Sequence, residues 1–209
     1  MSDIIETKWS GRHHDKDVLR SEIWSQLLAR HLNLGEPVGR IPGFVGNDKA
    51  AALMAEQPWW KAAQVMKSNP DTAHVPVRLR ALQDGKLVYM AVPQLKTEKC
   101  FVELNPEALK AAGIAFEDVS HHEGALKYGR PITFEEMRPI QLVHSGCVAV
   151  TRAGGRTGKG AGFADIELGI LSTLGLLAPE CVIVTAVHPL QVVENERVPM
   201  MAHDWALDY

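Results

Sequence analysis

With 209 residues, 46% of them hydrophobic, and a formal net charge of −3, the chain has apolar material for one sizeable core and too little positive charge for nucleic acid to be its main partner. No apolar run approaches the roughly 18 residues of a membrane span, and the polar start, Met1 to Arg12, lacks the apolar core of a secretory signal. The cysteines, Cys100, Cys147 and Cys181, are far apart and form no CxxC pair, which fits free thiols in a reducing compartment and predicts a cytoplasmic protein.

Residues 1–14 are expected as a loose arm ahead of a single domain, residues 15–209. Asp15 is an N-cap candidate for a helix from Lys16 to about His31, whose Leu19, Ile23, Trp24, Leu27 and Leu28 share one face. Gly35 to Asn47, rich in Gly and Pro, reads as a surface loop, and Asp48 to Gln57 as a short helix. A strand is expected over Ala62 to Met66. Pro76 suits the first turn of a helix reaching Leu82, which Asp84-Gly85 ends in a turn. Lys86 to Val92 predicts a strand. Asn105-Pro106 opens a helix that closes at Gly113, and Thr133 with Glu136 forms a capping box. Gln141 to Thr151 and Val182 to Val187 are apolar, β-branched runs suited to buried parallel strands, with a helix from Ile166 to Leu177 between them. This alternation predicts an α/β fold with a mostly parallel sheet.

The densest chemistry lies at Gly155-Arg156-Thr157-Gly158-Lys159-Gly160-Ala161-Gly162-Phe163-Ala164-Asp165, between a strand and a helix. Glycines let backbone N–H groups turn toward a ligand, a helix N-terminus adds partial positive charge, and Arg156 and Lys159 add full charges. The segment is a candidate triphosphate cradle, with Asp165 as a carboxylate for a divalent metal. It lacks P-loop spacing, and Phe163 stands where a dinucleotide fingerprint needs its third glycine. At about 100° per residue, Lys16 and Arg20 lie within about 40° of each other on the apolar face of the first helix. Either both snorkel to solvent or both reach an anion in a pocket. Trp59-Trp60 either stacks on a ligand ring or closes the end of the core. Arg78 and Arg80, with Lys96 and Lys99, either meet a polyanionic tail such as polyglutamate or, the safer account, are solvated surface charge. The nine histidines show no zinc spacing, and no nucleophile elbow is present.

Lys16-x-x-Leu19-Arg20, the glycine segment, and Val198-Pro199-x-x-x-His203-Asp204-x-x-x-Asp208 together resemble, in order and spacing, three motifs of the 5-formyltetrahydrofolate cyclo-ligase family: K-x-x-L-R, G-x-R-x-G-x-G-x-G-Y-Y-D and V-P-x-x-x-H-D-x-x-x-D. The resemblance implies a three-layer α/β/α domain akin to the NagB/RpiA/CoA-transferase type. It also implies an enzyme that uses ATP and Mg²⁺ to convert 5-formyltetrahydrofolate to 5,10-methenyltetrahydrofolate, with a reduced folate as substrate. Carried over position by position, Lys16, Arg20, Gly155, Arg156, Gly158, Lys159, Gly160 and Gly162 bind ATP, with Arg156 and Lys159 closest to the chemistry and Asp165 on the metal. Trp60, Asp71 and Phe163 are the folate-side candidates, Asp71 being the acid nearest to the family's folate-side glutamate.

The chain also departs from that pattern. Gly146-Cys147-Val148-Ala149-Val150-Thr151 replaces P-G-x-A-F-D, and Phe163-Ala164 replaces both tyrosines. This wording resembles a divergent branch of the family, the methenyltetrahydrofolate synthetase domain-containing proteins. Two functions therefore stay open: a cyclo-ligase, or a repurposed, non-catalytic relative that binds a nucleotide or another phosphorylated metabolite.

Overall fold

A computed structural model describes residues 4–92 and 99–209. In chain order, its elements are α1 (His14–Ala29), β1 (Asn33–Leu34), β2 (Gly43–Phe44), α2 (Asn47–Ala55), α3 (Pro58–Ala62), β3 (Val65–Ser68), α4 (Val75–Gln83), β4 (Leu87–Ala91), β5 (Phe101–Leu104), α5 (Pro106–Ala111), α6 (Phe116–Ser120), α7 (His122–Tyr128), β6 (Arg130–Ile132), β7 (Ile140–His144), β8 (Ala149–Thr151), β9 (Arg156–Thr157), α8 (Phe163–Thr173), β10 (Leu177–Val184) and β11 (Val192–Val193).

The main sheet has the order β10-β7-β3-β4-β5-β6. Its first four strands run parallel, and β5 and β6 are antiparallel. Alternation along each strand sorts side chains to opposite faces. Met66, Val88, Met90 and Leu142 pack with Met54, Trp60, Val77, Leu82, Leu109 and Val119 from α2 to α6. Val65, Tyr89, Phe101 and Val143 pack with Leu168 and Leu171 of α8 and with Trp205 and Leu207 of the C-terminal segment. The expected three-layer α/β/α arrangement is therefore present, with six helices, α2 to α7, represented in the core on one face and α8 on the other. A smaller sheet, β11-β8-β9, carries α1, whose Leu19, Ile23, Trp24 and Leu27 pack on Val148, Ala149 and Val198.

Several boundaries differ from expectation for identifiable reasons. Helix α1 starts at His14, with His13 rather than Asp15 at its cap; Asp15 lies in the first turn, and Asp17 accepts the Gly11 N–H at 2.9 Å. The loop expected over Gly35 to Asn47 contains β2, which pairs with β1 and buries Phe44. The single strand expected over Gln141 to Thr151 is two strands, β7 and β8, in different sheets. Between them the chain bends at Val148, and Gly146 is crowded: an added Cβ would lie 2.8 Å from Ile41 and 3.1 Å from His74, so a side chain there would force its neighbours to move. Arg78 is not surface charge: it is fully buried and donates to the carbonyls of Ser120, Asn69 and Asp71. Lys96 lies outside the described residues. The Thr133–Glu136 capping box forms, with the Glu136 carboxylate accepting the Thr133 N–H at 2.9 Å.

Strand β3 ends in polar residues that are buried all the same. Lys67 is 0% exposed and forms an ion pair with Glu167 of α8, which ties the helix to the sheet centre. Removing one member of such a pair strands the other charge in the core, at a cost of about 3–5 kcal/mol, whereas apolar replacement of both can be nearly neutral. Glu167→Ala should lower the unfolding free energy by about that amount, and Lys67→Met/Glu167→Leu should recover most of it in urea titrations. Equal losses in the single and double variants would contradict the pairing.

Candidate active site

From β3 the chain moves to β4 on one side, and it later returns through β7 and β10 on the other. The C-terminal ends of β3 and β7 therefore diverge at a topological switch point, where open α/β sheets bind ligands. Asn69, Pro70 and Asp71 follow β3, and a 3-10 turn, Thr72–His74, leads into α4. Ser145 and Gly146 follow β7. The glycine segment lies against this point: an added Cβ on Gly158 would sit 3.6 Å from the Gly146 carbonyl oxygen, and Lys159 Nζ is 2.6 Å from Asp71 Oδ1.

Strand β9 pairs antiparallel with β8 and feeds the segment into α8. Gly160 (φ +105°) and Gly162 (φ +78°, the N-cap of α8) hold left-handed conformations that disfavour side chains. Among the described residues, none accepts a hydrogen bond from the backbone N–H groups of residues 159–165. They form a run of open donors at a helix start, suited to an anion.

Lys16 and Arg20 are both buried and directed inward. Arg20 Nε donates to the Gly158 carbonyl at 2.7 Å, Nη2 to Thr157 Oγ1 at 2.9 Å and Nη1 to Asp17 at 2.7 Å. Burial lowers its pKa, and Asp17 opposes that. Lys16 Nζ lies 2.5 Å from Asp204 Oδ2. Burial alone would raise the Asp204 carboxyl, but the Lys16 ammonium and the Met201 N–H hold it below its ordinary value. Arg156 donates to the Trp205 carbonyl at 2.7 Å and to Asp165 at 2.5 Å, and the same Asp165 oxygen accepts the Trp205 N–H at 2.9 Å.

The fold thus gathers Lys16, Arg20, Arg156, Gly158, Lys159, Gly160, Gly162, Asp71 and Asp165 around one segment. Gly155 serves the β8–β9 turn, its N–H donating to Thr151 Oγ1 at 2.9 Å. Phe163 packs edge-on against Trp9 at 5.8 Å. Trp60 is not at this site: it is buried in the helical layer before β3, its Nε1 donating to Asp84 at 2.8 Å, so of the two readings of the tryptophan pair it follows the core one. Among the described residues, no group of three His, Cys, Asp or Glu side chains is placed to hold a metal. Asp165 is one carboxylate already shared with Arg156 and Trp205, so the donor set does not fit a resident metal ion.

Sequence reasoning passed over two features. Residues 5–12, expected as part of a loose arm, run along the molecule: the Ile5 N–H donates to Ser21 Oγ at 2.9 Å, and Arg12 donates to the Ala161 carbonyl at 2.8 Å. Below the Asp71–Lys159 pair lies a buried polar cluster. The His74 and His144 rings are 4.1 Å apart, and both of His144's ring nitrogens, Asn69 Oδ1, Arg78 Nη2 and Ser145 Oγ have no partner among the described residues. Burial pushes Arg78 down to about 10 and drives both histidines well below their ordinary pKa, with Arg78 adding to the effect on each. These residues carry no spacing signal, because tertiary placement alone brings β3, β7 and α4 together. Among the described residues no helix is long and apolar enough to cross a membrane.

Comparison with known proteins bears on the same residues. Residues 12–209 match the 5-formyltetrahydrofolate cyclo-ligase family. The chain is 31% identical over 196 residues to the methenyltetrahydrofolate synthase domain-containing protein of Homo sapiens, covering 93% of this chain and 51% of that protein. It is 30% identical over the same length to the Bos taurus protein of that name, again covering 93% and 51%. The chain therefore spans about half the length of these relatives. The solution structure of Aquifex aeolicus 5,10-methenyltetrahydrofolate synthetase superposes with a TM-score of 0.51 at 19% identity, covering 91% of this chain and 87% of that one, which supports the fold.

The histidine pair makes stability depend on pH. Both rings are held neutral in the fold, whereas the unfolded chain takes up protons near the ordinary value of 6.5. Below that pH the unfolded state binds more protons, so stability falls as pH falls, by up to about 1.4 kcal/mol per pH unit for each histidine. Urea unfolding should show this loss between about pH 6.5 and pH 5.5, and His74→Gln/His144→Gln should flatten it. An unchanged slope in the double variant would refute the assignment.

Proposed function

The chain belongs to the 5-formyltetrahydrofolate cyclo-ligase family, and we propose on that basis that it closes the ring of 5-formyltetrahydrofolate, or a close analogue, at the expense of ATP. The observation that supports this reading is the Lys159–Asp71 contact, which joins the glycine segment, the candidate phosphate side, to the loop after β3, the candidate folate side. In this scheme the formyl oxygen attacks the γ-phosphorus and ADP departs. N10 then adds to the activated formyl carbon and gives up its proton to solvent, the carbon–oxygen bond breaks, and phosphate leaves with that oxygen. Such a reaction needs alignment and charge neutralisation more than a protein nucleophile.

The open N–H groups of residues 159–165 would receive phosphate oxygens, and Lys159 would neutralise the charge that develops on them. Asp71, released from Lys159, would face the folate, with Phe163 as an apolar neighbour. Arg20 and Arg156 hold the segment's backbone and the Asp165–Trp205 floor, and Lys16 anchors Asp204. Mg²⁺ enters as MgATP, as part of the substrate.

One observation favours the second reading, a nucleotide-binding relative without turnover. Lys16, Arg20, Arg156 and Lys159 are each already paired with a carboxylate, and neither tyrosine of the family motif is present.

Purified protein with 5-formyltetrahydrofolate, ATP and Mg²⁺ should generate the absorbance of methenyltetrahydrofolate. Lys159→Ala should lower kcat/KM by about 10- to 100-fold, the range for one charge-assisted contact. No product above background at high enzyme concentration rejects the cyclo-ligase reading, and calorimetry with ATP then tests the binding one.

A further inference from the structure

Four cations around the glycine segment are neutralised within the molecule: Lys16 by Asp204, Arg20 by Asp17, Arg156 by Asp165 and Lys159 by Asp71, all at 2.7 Å or less. Two others beside it are not. Lys8 and Arg12 are exposed, and neither forms an ion pair with a described carboxylate.

The arm fixes where these two cations stand. Lys8 Nζ lies 4.9 Å and Arg12 Cζ 5.2 Å from the centre of the Trp9 ring, within cation–π range. The ring meets Phe163 edge-on, at 5.8 Å and 89°. Arg12 Nη1 donates to the Ala161 carbonyl at 2.8 Å. Trp9 lies so close to Gly160 that an added Cβ there would be 3.0 Å from Trp9 Cβ and 3.2 Å from its carbonyl oxygen. The arm is pinned at both ends, through Ile5 to Ser21 and Gly11 to Asp17. Lys8 and Trp9 precede the residues that match the family, which begin at residue 12.

We propose that the arm is the outer wall of the ligand site, with Lys8 and Arg12, mounted on Trp9, gripping the polyphosphate of a nucleoside triphosphate that lies on the open N–H groups of residues 159–165. This rests on the reading that the glycine segment takes a phosphorylated ligand, and it deepens that reading by moving the mobile positive charge from the motif cations to the arm. The physical reason is competition. A phosphate approaching Lys16, Arg20 or Arg156 must displace a buried carboxylate, whereas Lys8 need only leave an indole face and Arg12 that face and the Ala161 carbonyl. Their departure also removes two cations from Trp9, so binding is expected to change that indole's emission.

The test uses the full chain, with ATP and inorganic triphosphate as probes, each with Mg²⁺. Calorimetry on wild type, Lys8→Ala/Arg12→Ala and a control that loses the same charge elsewhere, Lys61→Ala/Lys110→Ala, gives the affinities, and thermal unfolding confirms that each variant is folded. The arm variant should bind both probes at least tenfold more weakly, the control should match wild type, and Trp9→Phe should abolish most of the ligand-induced change in emission. Wild-type affinity in the arm variant overturns the assignment of the arm while leaving the nucleotide reading intact. Equal weakening in the control also overturns it, reducing the effect to net charge. Failure of wild type to bind either probe overturns both readings together.

Discussion

Arg20 is the joint on which the site depends. Its guanidinium holds the Gly158 carbonyl, the Thr157 hydroxyl and Asp17 at once, so a helix near the start of the chain and a segment more than a hundred residues later become one surface. A planar fork of donors holds three acceptors in fixed directions; the freely rotating donors of a lysine ammonium would satisfy the charge without fixing the geometry. The apolar stripe of α1 would still pack on the small sheet without it, but nothing in that packing dictates where the glycines lie. The contact also explains how a cation tolerates the inward face of an amphipathic helix: a carboxylate one turn earlier and two oxygens from the segment replace the water it gives up.

The same economy runs through the surrounding charges. Each motif cation is paired, so the segment is close to electrically neutral as it stands, and on the proposed reading its remaining pull on an anion would come from backbone N–H groups and the arm. A phosphate binding at this segment, as proposed, would therefore exchange partners rather than fill a positive hole. That exchange is least costly at Lys159, whose side chain is 32% exposed, and most costly at Arg156, whose side chain is 3% exposed. A phosphate that takes Lys159 leaves Asp71 without its cation, at the very end of β3. Charge on the two sides of the switch point is thus coupled by a single ion pair.

How much of this could be read from the sequence depends on whether the signal was local. The α4 helix, the β4 strand, the Asn105 cap of α5 and the capping box at Thr133 all follow from neighbouring residues, and the structure has them. The three motifs around Lys16, Gly158 and Asp204 were legible as well, because their residue types are unusual at those spacings. The short helices α3, α6 and α7 have five to seven residues, too few for periodicity to emerge. Strands β5 and β6 owe their place to antiparallel pairing with β4 and with each other, which no local pattern encodes. The division of β7 from β8 falls at the bend at Val148, beside the crowded Gly146. Polar Lys67 and Ser68 concealed the end of β3, because Lys67 is paired with Glu167 from a distant helix and Ser68 donates to the Asn69 carbonyl.

The buried cluster beneath Asp71 is the clearest case of a local rule broken without a local reason. A cavity-free apolar core would be the stable choice where β3 and β7 end, yet His74, His144, Arg78 and Asn69 fill that place with polar atoms left unpaired among the described residues. Unpaired polar burial costs about 1–3 kcal/mol per group, and such departures concentrate where a fold does chemistry. Arg78 accounts for part of the arrangement, since it clasps the carbonyls of Asn69 and Asp71 and so sets the loop that carries Asp71. The two histidines, kept neutral by burial, pack beside that guanidinium without adding charge to it. The loop bearing Asp71 is thereby fixed from below by an arginine that forms no ion pair among the described residues, and from above by Lys159, the most exposed of the paired motif cations.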